Sequence, residues 1–91
     1  MKAVRATLFG RVQGVCFRAW TQDEAERRGL DGWVRNRVDG TVEAVFAGDD
    51  ALVDDMLRAC RDGPPAARVE HVDTEAVDQP VPPGFHQRRT A

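Results

Sequence analysis

No stretch of this chain is apolar for long enough to cross a membrane, and no apolar run follows Met1 and Lys2 that could serve as a signal peptide. A cytoplasmic location is the expectation. Cysteine is scarce: Cys16 and Cys60 stand far apart with no CxxC and no Cys/His cluster, which argues against a disulfide scaffold and against zinc. Lysine is scarcer still, since 12 of the 13 basic residues are Arg and only Lys2 completes the set. They are offset by 15 acidic residues scattered along the chain, for a net charge of -2. No basic stripe results, so neither a nucleic-acid nor a membrane partner is expected. The two histidines, His71 and His86, have no neighbours in sequence that would make them ligands or bases. Nucleotide fingerprints are also missing: there is no GxxxxGK[ST], and the one GxxxG lacks the third glycine of a dinucleotide turn.

What is present suffices for one domain, residues 1–91, with a core: 91 residues, 42% of them hydrophobic. Val4, Ala6 and Leu8 alternate with Arg5, Thr7 and Phe9, the period of a half-buried strand that ends at Gly10. A helix is expected from about Arg18 to Arg28, closed by Gly29, on a thin apolar face of Phe17, Trp20, Thr21 and Ala25. Strands from Gly32 to Val38 and from Thr41 to Ala47 flank Asp39-Gly40, a tight-hairpin signal. On the second of them Val42, Ala44 and Phe46 share a face. Asp49 or Asp50 can cap a second helix with a broad stripe of Leu52, Val53, Met56, Leu57, Ala59 and Cys60, stopped by Gly63, Pro64 and Pro65. A fourth strand spans Arg68 to Val77, where Val69 and Val72 fall out of phase as a bulge would make them. A proline-rich loop and a polar tail follow. The order, strand, helix, strand, strand, helix, strand, is the ferredoxin-like α+β sandwich, βαββαβ, an antiparallel sheet with two helices on one face.

Residues 10–18, GRVQGVCFR, connect the first strand to the first helix. Glycines let the backbone turn so that successive N–H groups share one concavity, and a helix N-terminus adds positive potential. Arg18 brings a planar fork of donors that matches phosphate oxygens in pairs. Taken alone, such a turn is common in mixed folds. The topology adds a second piece. With the third strand between the first two, which then run parallel, the first loop and the end of the second strand meet at one edge of the sheet. Asn36 is thereby brought toward Arg18. Cys16 and Arg18 are only two positions apart, too close for a cysteine-dependent phosphatase loop to enclose an anion, which leaves Cys16 a structural or incidental role.

GRVQGVCFR followed by Thr21, and then Gly32, Trp33, Val34, Arg35 and Asn36, resembles the two signatures of the acylphosphatase family, at matching spacing and over nearly the whole chain. The resemblance implies hydrolysis of acyl phosphates to carboxylate and orthophosphate without a metal or cofactor. It implies Arg18 and Asn36 as catalytic, with phosphate held by the backbone of Gln13, Gly14, Val15, Cys16, Phe17 and Arg18. Residue chemistry agrees. The motif segments hold no His, Asp or Glu to protonate a leaving group, which suits a carboxylate, already a stable anion near neutral pH. Asn36 can donate and accept, enough to position a water for in-line attack on phosphorus. The expected partner is a small acyl phosphate, and the expected state a monomer.

The sequence departs from the family at Arg28, where an apolar residue is usual, and in the tail, where His86, Gln87, Arg88 and Arg89 replace a more apolar closing strand. Two rivals share the element order. An RNA-recognition module needs aromatics on its first and third strands, where the open face offers Phe9 alone, and the RNP pattern is missing. The other is an acylphosphatase-like domain within a larger carbamoyl-transfer enzyme, disfavoured by the absence of following zinc-finger cysteines.

Overall fold

The computed structural model describes all residues from Met1 to Ala91. Its elements are β1 (Lys2–Arg11), α1 (Phe17–Arg27), β2 (Asp31–Asn36), β3 (Val42–Gly48), α2 (Asp50–Asp62), β4 (Arg68–Ala76) and β5 (Phe85–Gln87). The sheet order is β4-β1-β3-β2-β5. Because β3 is antiparallel to both β1 and β2, those two run parallel, as the ferredoxin-like pattern requires. The tail contributes a strand beyond that pattern: β5 pairs parallel with β2, Phe85 opposite Gly32 and Gln87 opposite Val34, so the five-stranded sheet is mixed.

One core lies between the helices and one face of the sheet. Ala6 and Leu8 of β1, Val42, Ala44 and Phe46 of β3 and Val34 of β2 meet Phe17 and Ala25 of α1 and Val53, Met56 and Cys60 of α2, all buried. Leu52, expected in the apolar stripe of α2, is exposed instead. Burial pushes the Cys60 thiol up to about 12, so it behaves as a small apolar filler.

Strand β3 is buried on its other face as well, at Glu43 and Val45. A buried carboxylate is costly unless paired. Here Arg35 Nε donates to Glu43 at 2.7 Å, and guanidinium nitrogens of Arg5 and Arg37 lie at 3.9 Å. Phe9 is the aromatic that β1 and β3 offer on this open face, and Trp33 of β2 lies on the same face because β2 alternates Gly32 and Val34 inward with Trp33 and Arg35 outward. The guanidiniums of Arg35 and Arg88 lie over the Trp33 ring, 4.9 and 4.6 Å from the centroid.

The end of β1 and the β2 to β3 connection differ from the sequence pattern, while the expected bulge in β4 is present. β1 continues through Gly10 to Arg11. The β1–β4 register shifts between Phe9, opposite His71, and Gly10, opposite Val69, which leaves Glu70 as the extra residue and turns Val69 and Val72 toward the core. Only glycine fits at position 10, where φ is +120° and an added Cβ would stand 2.2 Å from the Arg68 carbonyl oxygen. The β2 to β3 connection is also longer than a two-residue hairpin. The strands stop at Asn36 and Val42, and the Asp39 carboxylate accepts from Thr41 N–H at 3.0 Å and Thr41 Oγ1 at 2.6 Å. That side-chain turn competes with the ladder and widens the loop.

Candidate active site

The loop that follows β1 is irregular for a local reason. Gly14 takes a left-handed φ of +71°, and Cys16, at the N-cap of α1, takes φ 61°, ψ 27° with no side-chain cap bond. A side chain in that region costs about 1–2 kcal/mol. The turn throws the backbone from left-handed straight into helix, the conformation in which consecutive N–H groups face one concavity. From Gly14 to Ala19 none of these N–H groups has an acceptor within the chain; the first backbone bond of the helix is Trp20 N–H to Cys16 O at 3.0 Å. Orphan donors at a helix start are expected, and here the side chain that usually satisfies one is missing.

These donors border a cavity of about 370 Å³, lined by Val12, Gly14, Cys16, Phe17, Arg18, Ala19, Asn36 and Gln87. Arg18 and Asn36, from different elements, meet there. Arg18 is half-buried and makes no ion pair, whereas the other half-buried arginines, Arg5, Arg28, Arg35 and Arg37, are all engaged by carboxylates. A guanidinium held at a cavity without an acidic partner keeps its full charge for an anion. Asn36 is half-buried, with its backbone paired to β3 and its carbonyl accepting from Ala91 N–H at 3.0 Å, so its position is fixed while its amide makes no hydrogen bond in the protein.

Of the loop residues expected to touch substrate, Gly14, Cys16, Phe17 and Arg18 line the cavity; Gln13 and Val15 do not. Val15 is buried beneath the loop. Gln13 acts as a tie: its Nε2 donates to the Arg37 carbonyl at 2.7 Å and to the Thr41 carbonyl at 2.8 Å. It thus clamps the loop to the turn that follows Asn36. Thr21 is buried and donates to the Phe17 carbonyl at 2.7 Å, a bond internal to α1. Gln87 was not visible as a cavity residue in the sequence, because its position depends on the pairing of β5 with β2.

No carboxylate or imidazole lines the cavity. The arrangement offers one fixed cation, a row of backbone donors and two neutral amides, a set suited to binding a phosphoryl group and orienting a small polar molecule beside it.

The family model described as Acylphosphatase matches residues 4–87. A curated acylphosphatase from Rhodospirillum rubrum is 52% identical over 88 residues, covering 97% of each chain. One from Acidiphilium cryptum is 51% identical over 90 residues, covering 99% of each. The crystal structure of acylphosphatase from Bacillus subtilis superposes with a TM-score of 0.92 at 34% identity, covering 97% of this chain and 99% of that one.

Proposed function

Since the chain belongs to the acylphosphatase family, whose reaction is the hydrolysis of acyl phosphates, we propose that Arg18 and the loop N–H groups hold the phosphoryl group while Asn36 orients the attacking water. The observation that carries this assignment is the meeting of an ion-pair-free, half-buried Arg18, unpartnered loop N–H groups and a free Asn36 amide at one cavity. Water attacks phosphorus as the bond from phosphorus to the acyl oxygen breaks. The electron pair of that bond leaves with the carboxylate, and the water's proton passes to a phosphoryl oxygen. Charge building on the phosphoryl oxygens meets donors already aimed at them, the most effective form of transition-state stabilisation. No protein acid is required, because the departing carboxylate is stable near neutral pH.

The reaction proceeds without a metal; a cavity wall with no carboxylate or imidazole supports this, since those are the usual ligands of hard and borderline cations. Residues 1–91 act as one domain and as a monomer, in the cytoplasm and without a nucleic-acid partner. The balance of 15 acidic against 13 basic residues, with no basic stripe along the chain, supports the last point. No helix is long and apolar enough to cross a membrane.

The test is benzoyl phosphate hydrolysis in EDTA by the wild type and by Arg18→Ala and Asn36→Ala, each checked for folding by circular dichroism. Wild-type turnover is expected to persist in EDTA. Both variants are expected to fold and to lose on the order of a hundred- to a thousandfold in rate. A folded Arg18→Ala enzyme with wild-type turnover would sink the assignment.

A further inference from the structure

Gln87 is the second neutral amide at the cavity, and nothing in the reaction as described uses it. It lies on β5, in register with Val34 and therefore on the helix side of the sheet, one strand outward from the strand that carries Asn36. Its amide is oriented by a chain of bonds. Gln22 Nε2 donates to the Phe85 carbonyl at 3.2 Å, and a carbonyl can only accept, so Gln22 presents Oε1 to its other neighbour. Gln87 Nε2 donates to that oxygen at 2.8 Å. The Gln87 amide is thereby fixed with Oε1 as its free end, and that oxygen accepts no hydrogen bond within the protein. Gln22 lies four residues after Arg18, one helical turn along the same face of α1, so the chain of bonds ends beside the phosphate-binding arginine.

A nucleophilic water must direct a lone pair at phosphorus while both of its hydrogens are held elsewhere. One is transferred to a phosphoryl oxygen; the other stays and needs an acceptor. Of the residues that line the cavity, Asn36 and Gln87 are the two that carry a side-chain carbonyl oxygen. Resting on the reading of Arg18 and Asn36 above, we infer that Gln87 is a further catalytic residue: its Oε1 accepts the retained hydrogen of the attacking water, and Gln22 is the positioning residue that keeps that oxygen turned inward. The polar tail that departs from the family pattern thus has a chemical use.

The test is steady-state hydrolysis of benzoyl phosphate by the full chain carrying Gln87→Leu, Gln87→Met or Gln22→Leu, with orthophosphate as a competitive inhibitor and thermal melts as the folding control. Loss of one oriented hydrogen bond in the transition state is expected to lower kcat about tenfold, equivalent to about 1.4 kcal/mol. KM and the inhibition constant of orthophosphate are expected to stay within about twofold, because the phosphate contacts are untouched. Gln22→Leu should lower kcat by a smaller factor in the same direction, while a Gln22→Glu chain, which still accepts from Gln87, keeps most of it. If Gln87→Leu misfolds, the unbranched Gln87→Met carries the measurement. A folded Gln87 variant with wild-type kcat overturns the inference, and so does one whose main effect is weakened orthophosphate inhibition. Arg18→Ala and Asn36→Ala measured alongside keep the two questions apart: if they are inactive while Gln87→Leu is not, only the role of Gln87 falls.

Discussion

A catalytic amide is only as good as the backbone that places it, and for Asn36 that placement runs through Gln13. The side chain of Gln13 spans from the loop to the carbonyls of Arg37 and Thr41, which flank the β2 to β3 turn. Both carbonyls have another donor, Gly40 N–H on Arg37 and Arg37 N–H on Thr41, so removing the amide leaves neither bare. Gln13→Leu is therefore expected to cost only the two bonds, about 1–2 kcal/mol of stability. The loss in activity should be larger in proportion, since the loop and Asn36 would no longer be held in one frame and misplacement of that kind is costly in rate. Gln13→Glu sharpens the expectation: a carboxylate facing two carbonyl oxygens repels both, so at pH 7 it should unfold at lower urea than Gln13→Leu. Equal midpoints for the two would show that the amide donates nothing there. Arg18 was legible in the sequence because its neighbours form a glycine-flanked turn, and Asn36 because topology carries it to the same edge. The clamp was not legible, as nothing local says where a glutamine in a loop will reach.

Helix α1 has a weak apolar face, with Phe17, Thr21 and Ala25 its buried residues, so it is secured by other means. At its C-terminal end Leu30 N–H bonds the Ala25 carbonyl at 3.0 Å and Gly29 N–H that of Glu26 at 3.0 Å, the paired bonds of a Schellman stop. Arg28, out of place as a core residue, ties the two helices: Nε donates to Asp55 of α2 at 2.8 Å, and Nη1 to Glu24 at 2.9 Å. The Arg28 hydrogen bond holds the Asp55 carboxyl below its ordinary range. A folded-state pKa below the unfolded one, about 3.9, adds stability above that value and loses it as pH falls through the folded pKa. Asp39, lowered by its bonds from Thr41, contributes in the same window. Urea melts should therefore show Asp55→Asn less stable than the wild type near neutral pH, with the gap closing below about pH 4. The variant should keep an acid slope from Asp39. A gap that is constant from pH 7 to pH 2 would mean that Asp55 does not sense Arg28.

Across the whole molecule, elements were readable wherever burial imposes a period. β1, α1, α2 and β4 lie within a residue or two of their sequence patterns, and even the bulge at Glu70 was written in the phase of Val69 and Val72. The strand that closes the sheet was not, because β5 is three residues long, buries only Phe85 and is defined by a parallel partner more than fifty positions away. Phe85 carries that closure. Its ring is 3% exposed and stacks on Phe46 with centroids 5.6 Å apart and planes at 13°. Around it, Gly32 N–H bonds the Gly84 carbonyl at 2.9 Å, Gly84 N–H the Asp31 carboxylate at 2.9 Å, and Arg88 N–H the Val34 carbonyl at 2.8 Å. Ala91 then reaches Asn36 and Val38. One buried ring thus anchors a segment that borders the cavity at Gln87 and braces the backbone of Asn36. Truncating a buried phenylalanine typically costs about 3–5 kcal/mol, a large part of the 5–15 kcal/mol that stabilises a domain. Phe85→Ala is expected to lose that amount in urea denaturation, and its remaining folded fraction to turn over more slowly per molecule, because β5 is freed from β2. A loss under about 1 kcal/mol would place β5 outside the cooperative core. Full stability with reduced turnover would separate the two duties of the tail and leave its part in closing the sheet unsupported.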